Sequence, residues 1–453
     1  MRHLFGIVSS VVLFAATSAP PARAQQADPM VALIREALRN NLQLAQQRVS
    51  EARAQAAVNQ ARGLALPSVS IDSRRSHLDG IPDVGALINP AYAALNKLTN
   101  SSAFPTDVHL TFPQAQESHL RITQPVFNIA IGAARSAAHA QLDVQHFTTN
   151  ASARDLACAV QLSYLNYASA SRVIELNRSV LALNDELLRA AERRLALGLV
   201  TPDIVLRARA DRAESAQALA ESEDRQTATT RFFSNIIGRP VQSAPPDLVA
   251  DSVLLFPLDS NPDTYVRSAA ARREELAEAL AGERAASASV RAARAAFLPS
   301  IGVALDYGQQ GNNYRFSSNR DLVVASIAMQ WNLFDGGQDA SRKQEADLDV
   351  ARARLQTSDA SRQIEMQVRS AFDAARVARA AIATATERET AARRNWDLVR
   401  RRSEQGSAST LDALDARTTW IRSALNLIVT RYTYASRWVE LERAAALRTD
   451  IEP

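Results

Sequence analysis

Val173-Ile-Glu-Leu176-Asn-Arg-Ser-Val180-Leu-Ala-Leu183-Asn-Asp-Glu-Leu187 sets an apolar residue at alternating steps of three and four, the spacing of a coiled-coil seam. The stretch lies inside a long run, Ala133 to Leu197, that contains neither glycine nor proline. Gln338 to Gln405 is a second such run of nearly the same length. Both are rich in Ala, Arg, Glu, Gln and Leu, which lose least on entering a helix. At the helical rise each makes a rod of roughly 100 Å, wider than one globular core. Each rod is expected to lie against other long helices.

Outward from the rods, the chain repeats itself. Before the first rod, Met30 to Leu66 has helical period and stops at Pro67. Pro67–Ile71 alternates, residues 77–107 read as loop, and alternation returns at Val108, Leu110, Phe112 and at Leu120, Ile122, Val126. After the rod, Gly198-Leu-Val-Thr-Pro202 breaks the pattern, and Asp203 to Ile237 is a further helix. Gly238–Pro262 holds five of the 17 prolines and reads as a linker. The order then restarts: helix Asp263 to Leu298, alternating Ile301–Tyr307 and Val323–Leu333, the second rod, a turn at Gly406, and a last helix from Ser409 to Leu447. The step from Phe127 to Phe334 almost equals that from Gly198 to Gly406, whereas the step from Pro67 to Pro299 is clearly longer. The rods keep their length while the strand–loop–strand segment is longer in the first half, so rod length is fixed and the loop end is free. The expected organisation is a signal peptide over 1–24, a first repeat over 25–237, a linker over 238–262 and a second repeat over 263–453.

Composition gives the address. Arg2, the apolar run Leu4–Ala19 and Ala22-Arg23-Ala24 read as a secretory signal, with an uncleaved anchor as the alternative. Without Arg2 and Arg23 the formal charge falls from +4 to +2, too little to argue for nucleic acid. Cys158 is the only cysteine and reads as a small buried side chain. No later stretch has 18 consecutive apolar residues, so a membrane crossing would need strands of a closed barrel. Ser300, Gly302, Ala304 and Asp306 oppose Ile301, Val303, Leu305 and Tyr307, the polar-in, apolar-out pattern of a barrel strand. An ordinary half-buried sheet has the same pattern. Four strands cannot close a barrel, so closure needs several copies.

Leu66-Pro67-Ser68 and Leu298-Pro299-Ser300, Trp331-Asn-Leu-Phe-Asp-Gly-Gly337, and the turns at Gly198 and Gly406 together resemble the TolC-like outer membrane efflux proteins. The resemblance covers nearly the whole chain after residue 24, in matching order in both halves. It implies a mainly α fold with a small β part: a long coiled α-helical barrel capped by a transmembrane β-barrel, four strands per chain and twelve in a homotrimer. It implies an outer-membrane exit duct of a tripartite efflux or type I secretion system, reaching into the periplasm. The partners would be outer-membrane lipid, a periplasmic adaptor (membrane fusion protein) and an inner-membrane pump. The expectation of no cofactor and no catalysis rests instead on the lack of metal-pair, nucleophile-elbow and phosphate-loop motifs. In that family acids in the second-half turn narrow the periplasmic mouth; the matching residues are Asp412 and Asp415. Three residues apart, they share a helix face, and threefold symmetry would make each a ring. Asp412 could equally cap the last helix. The adaptor-contact turns implied are Gly198, Leu199 and Thr201 in the first half, and Gly406, Ser407 and Ser409 in the second. Two places depart from the family: Asn128-Ile-Ala-Ile-Gly132 lacks the Asp-Gly-Gly of the second half, and Ala408 stands where some members carry a mouth-closing arginine. Arg207 is a candidate replacement, or a solvated surface arginine.

Other classes fit less well. His139 and His146 are seven apart, too far for an i, i+4 metal pair, and no nucleophile elbow or phosphate loop occurs. The alternative function is a periplasmic coiled-coil adaptor or scaffold without a pore.

Overall fold

The computed structural model describes residues 29–77, 83–109, 116–241, 243–246, 256–311, 321–405 and 407–449. The expected signal segment, Leu110 and Phe112, Gly406 and part of the 238–262 linker lie outside the described residues. The elements run α1 Pro29–Asn40, α2 Leu42–Gly63, β1 Ser68–Arg75, α3 Gly85–Leu98, β2 Gln116–Phe127, α4 Ile129–Ala196 and α5 Pro202–Ile237. The second half runs α6 Pro262–Arg272, α7 Glu274–Ala295, β3 Ser300–Gly311, β4 Asp321–Gln330, α8 Gln338–Glu404 and α9 Thr410–Ala444. Both rods are single helices, of 68 residues in α4 and 67 in α8. No helix among the described residues is long and apolar enough to cross a membrane.

The chain forms two compact units. The first comprises residues 1–41, 156–256 and 382–436, and the second 42–155, 257–381 and 437–453. In the first, α1 lays Leu33, Ile34, Ala37 and Leu38 against α5, whose Phe233 and Ile237 are fully buried. Phe233 meets Tyr164 of α4 edge-on at 6.3 Å between ring centroids. Cys158 of α4 is only half-buried, where a buried side chain was expected. In the second unit, Tyr265 of α6, Val368 and Phe372 of α8 and Leu441 of α9 share a core.

Two expected helices are each broken once. The stretch from residue 30 to 66 divides at Asn41, and that from 263 to 298 divides at Arg273, whose ψ of 124° is extended. Asn41 and Arg273 are separated by the same step as Pro67 and Pro299, so the two breaks occupy one place in the repeat. Each side chain reaches the end of a neighbouring helix. Asn41 donates to the carbonyl of Ile236 in the last turn of α5 (3.2 Å), and Arg273 to that of Ala444 at the end of α9 (3.1 Å). Ile236 and Ala444 are in turn separated by the same step as Gly198 and Gly406. The last carbonyls of a helix have no partner within it, and in both halves a residue freed from a neighbouring helix supplies one. That capping explains a break that apolar period alone does not show.

Residues 77–107 are not all loop, because α3 lies within them. Its inward side is fixed by two asparagines that act as backbone partners. Asn89 bonds the N–H and C=O of Val108 (2.9 and 3.0 Å), and Asn96 those of Phe104 (3.0 and 2.7 Å). Tyr92 stacks on Phe104 at 5.6 Å. Pro90 sits on the exposed side and gives up one helical hydrogen bond there. Val108 lies outside any strand, so the second strand starts at Gln116. Likewise β4 stops at Gln330, and Trp331–Phe334 lead irregularly to the rod.

The two strand-to-helix passages differ as their sequences do. In the second half Gly336 and Gly337 both have positive φ (74° and 87°), and Asp335 accepts from the N–H of Asp339 at 2.9 Å. In the first half Asn128 directly precedes α4 and accepts from Ala130 N–H at 3.0 Å. An asparagine cap therefore does in one step what Asp-Gly-Gly does in three.

Candidate functional site

The four strands form one antiparallel sheet in chain order, with β2 and β3 joining the two halves. The register sorts side chains by face. One face carries Val69 and Ile71 of β1, Leu120 and Ile122 of β2, Val303, Leu305 and Tyr307 of β3, and Val323, Ile327 and Met329 of β4. Most are exposed, with Ile71 and Ile327 both at 79%. The other face carries Ser68, Ser70 and Asp72, with His119, Arg121 and Thr123, then Ala304, Asp306 and Gly308. Its polar groups bond one another: Arg121 to Asp306 at 2.6 Å, Ser68 to Thr123 at 2.6 Å, and Arg74 to Glu117 at 2.8 Å. A Cβ on Gly308 would lie 2.2 Å from the Ser118 carbonyl oxygen, so only glycine fits opposite His119.

An apolar sheet face normally packs on a core. Here the apolar face is bare. The opposite face, exposed as well on β1 and β4, carries a polar set over β1 to β3 that is mostly paired within itself. Leu322 and Val324 of β4 lie beside that set, and His119 Nε2 has no hydrogen-bond partner among the described residues. Both β1 and β4 pair on one side only among the described residues. A sheet so built has its apolar surface and both edges ready for further partners.

The second location is the end of the first unit where the rods turn. Gly198, at φ 68°, ends α4, and Leu199 N–H bonds the Arg194 carbonyl at 2.9 Å, closing a Schellman turn. Ser407 N–H bonds the Arg402 carbonyl at 2.9 Å, the corresponding bond of the second-half turn. Thr201 occupies the N-cap of α5 without a side-chain cap bond, and Pro202 follows at the first helical position. Ser409 caps α9. Its hydroxyl accepts from Asp412 N–H (3.1 Å) and donates to the Asp412 carboxylate (2.7 Å), which also accepts from Ser409 N–H (3.3 Å). This is a capping box with aspartate in the glutamate place. Asp415 is exposed one turn further on, with no ion pair among the described residues, and Arg207 is exposed and likewise unpaired. Leu197, Leu199, Leu206 and Leu411 are all more than 60% exposed around these turns.

Behind the turns lies a buried network that sequence reading missed. Arg417 of α9, 7% exposed, donates to Asn184 of α4 (2.8 Å) and to Asp211 of α5 (2.6 Å). Asn184 in turn donates to the Asp211 carbonyl (3.3 Å) and to the Ser215 hydroxyl. Three helices from both halves are thereby joined through one guanidinium. Asn184 sits between Leu183 and Leu187 of the seam, and it is buried while they are half-exposed. A polar residue in a seam fixes register at some cost in stability. Of the expected histidines, His146 bonds Glu51 at 2.8 Å and Asn150 at 3.1 Å. Among the described residues no group of three or more His, Cys, Asp or Glu is placed to hold a metal ion.

Residues 265–447 match the sequence profile of the family described as outer membrane efflux protein. Outer membrane efflux protein BepC of Brucella suis biovar 1 (strain 1330) is 24% identical over 269 residues, which are 59% of this chain and 58% of that relative's length. Solved structures share the fold. CusC superposes with a TM-score of 0.77 at 16% identity, covering 92% of both chains. The CmeC outer membrane channel of Campylobacter jejuni gives 0.75 at 16% identity, covering 92% of this chain and 85% of that one. The outer membrane protein VceC of Vibrio cholerae gives 0.72 at 19% identity, covering 92% and 96%.

Proposed function

We propose that this chain, whose residues 265–447 match the profile of the outer membrane efflux protein family and whose fold is shared with solved outer-membrane channels, is a trimeric, passive exit duct of the outer membrane. The observation that carries the reading is the sheet whose apolar face is bare and whose opposite face carries, over β1 to β3, a polar set mostly paired within itself. Three such sheets joined edge to edge make twelve strands, enough to close a barrel. The apolar face would then meet lipid, and the ion-paired face would line the lumen. The doubled helices would continue the wall into the periplasm, and the two turns at Gly198 and Gly406 would form its far end. Asp412 and Asp415 would ring the entrance, six carboxylates in a trimer, where they concentrate cations and resist anions.

The exposed leucines at those turns support a partner there. Leu197, Leu199, Leu206 and Leu411 are more apolar surface than a solvated helix end needs. In this reading they meet the tip of a periplasmic adaptor, which links the duct to an inner-membrane pump. A photo-crosslinker placed at Leu199 or Ser407 is expected to capture the adaptor, and one at Ser243 to capture none. Capture from Ser243 alone would contradict the assignment.

A further inference from the structure

Where α4, α5, α8 and α9 converge behind the turns, they enclose a cavity of about 330 Å³. The duct reading gives it no role. Its floor is buried: Trp396 is 6% exposed, and Arg417 and Asn184 are held in the network described above. Its walls include Leu187, Ile204 and Leu414. Its rim carries Arg194, Arg207 and Arg400, all exposed. Cavities of this size with apolar walls and a few convergent polar groups are the usual form of small-molecule sites.

Two features of the lining are incomplete within the chain. The first is charge. Arg417 is neutralised by Asp211, but Arg194, Arg207 and Arg400 have no ion-pair partner among the described residues, and Glu404 is the one other acid in the lining. Three guanidiniums around one opening repel one another, and since all three are exposed, water and salt screen much of that repulsion. An anion would remove it. The second is a donor. The indole N–H of Trp396 has no acceptor among the described residues, and although most of the side chain is buried the nitrogen itself stays accessible. Indole only donates, so an acceptor on a molecule that enters the cavity can take this N–H in place of water.

We infer that this cavity is a binding site for a small organic anion with an aromatic or branched apolar body. The anionic group lies against the rim arginines, where guanidinium forks suit carboxylate and sulfonate oxygens. The body fills the space between Leu187, Ile204 and Leu414, and an acceptor on it takes the Trp396 N–H. A compact inorganic anion would satisfy the rim but leave the walls wet. A neutral or cationic aromatic would fill the walls but meet three like charges. The site is formed within one chain, so the inference stands apart from the trimer, while its test in lipid rests on the proposed membrane location.

The test is calorimetric titration of the full-length protein in nanodiscs of zwitterionic lipid. The probe is naphthalene-2-sulfonate, with naphthalen-2-ylmethylammonium as its cationic counterpart. The expected result is saturable binding of the sulfonate at one site per chain, with no competition from the ammonium. Arg207→Gln with Arg400→Gln should weaken it at least about tenfold, from the loss of two charge-assisted contacts. Trp396→Phe should weaken it several-fold, since it keeps the ring and removes the donor. Arg193→Gln, outside the lining, should leave affinity unchanged. The substituted arginines make no ion pairs, so these variants keep the packing of the fold. Absence of saturable binding at millimolar sulfonate, equal binding of the ammonium, or unchanged affinity in the double variant would each overturn the inference.

Discussion

Replacing Arg273 with alanine is expected to lower stability by about 3 kcal/mol, the low end for breaking a buried ion pair, and to loosen the last turn of α9 first. Arg273 is 4% exposed and sits at the break between α6 and α7. Its guanidinium holds both oxygens of Glu275 at 2.7 Å, the Ala444 carbonyl at 3.1 Å and the Gln367 side chain at 3.2 Å. Alanine would strand the carbonyl that ends α9 and a carboxylate in partial burial. The low end applies because Glu275 is still 31% exposed at its side chain and retains Arg443 at 3.1 Å. Thermal melting together with hydrogen exchange at residues 441–447 reads the effect. Unaltered melting and unaltered protection there would contradict it.

The same change has a pH signature. Burial pushes the Glu275 carboxyl up, but the Arg273 guanidinium, its own backbone N–H and Arg443 together hold it below the usual carboxylate range. A carboxylate held low stabilises the fold above its ordinary titration range and loses that contribution as pH falls through its folded value. The gap between the native protein and Arg273→Ala should be full at neutral pH and narrow on acidification. Glu278 moves the other way, pushed up by burial against the pull of the Thr148 hydroxyl. Its ionised form costs stability near neutrality in both proteins, so it largely cancels in the comparison.

Removing the charge of Asp412 and Asp415 is expected to abolish most cation preference and to raise the multivalent-cation concentration for half-block about tenfold. The chemistry of the substitution matters because Asp412 also belongs to the capping box with Ser409. Alanine at both positions removes charge and cap together, and loss of such a cap costs about 1 kcal/mol. Asparagine at both keeps an acceptor for Ser409 and removes only the charge. Equal loss of selectivity in the two double variants, measured as reversal potential in a planar bilayer, assigns the effect to charge. Native selectivity in the asparagine pair would take these residues out of the entrance.

The repeat was legible because it is written in spacing. Glycine, proline and phenylalanine punctuate helix and strand ends, and the steps between their paired positions carry over to the element boundaries. The face of each strand was legible for the same reason, since alternation has a period of two. What escaped were features decided by contacts between distant segments. Asn41 and Arg273 end helices because a carbonyl of another helix needs a donor, and nothing local in Arg272-Arg273-Glu274 says so. The α3 segment was hidden by its flanking glycines and prolines, and its two asparagine clamps act on backbone up to 19 residues away. Asn184 was overlooked inside a seam whose leucines drew the reading, and its partners lie 27 and 233 residues on. At the turns, the aspartates and a capping role for Asp412 were both readable, the latter from the Ser409-x-x-Asp412 spacing, and the structure shows the cap formed.

The central claim is that one chain supplies a third of a closed wall. Electron microscopy of the protein extracted from membranes in mild detergent tests it most directly. The account predicts particles with threefold symmetry, each with a strand-built ring at one end embedded in the detergent belt and helices running on from it. Monomeric particles, or an assembly without a detergent belt around the strands, would contradict it.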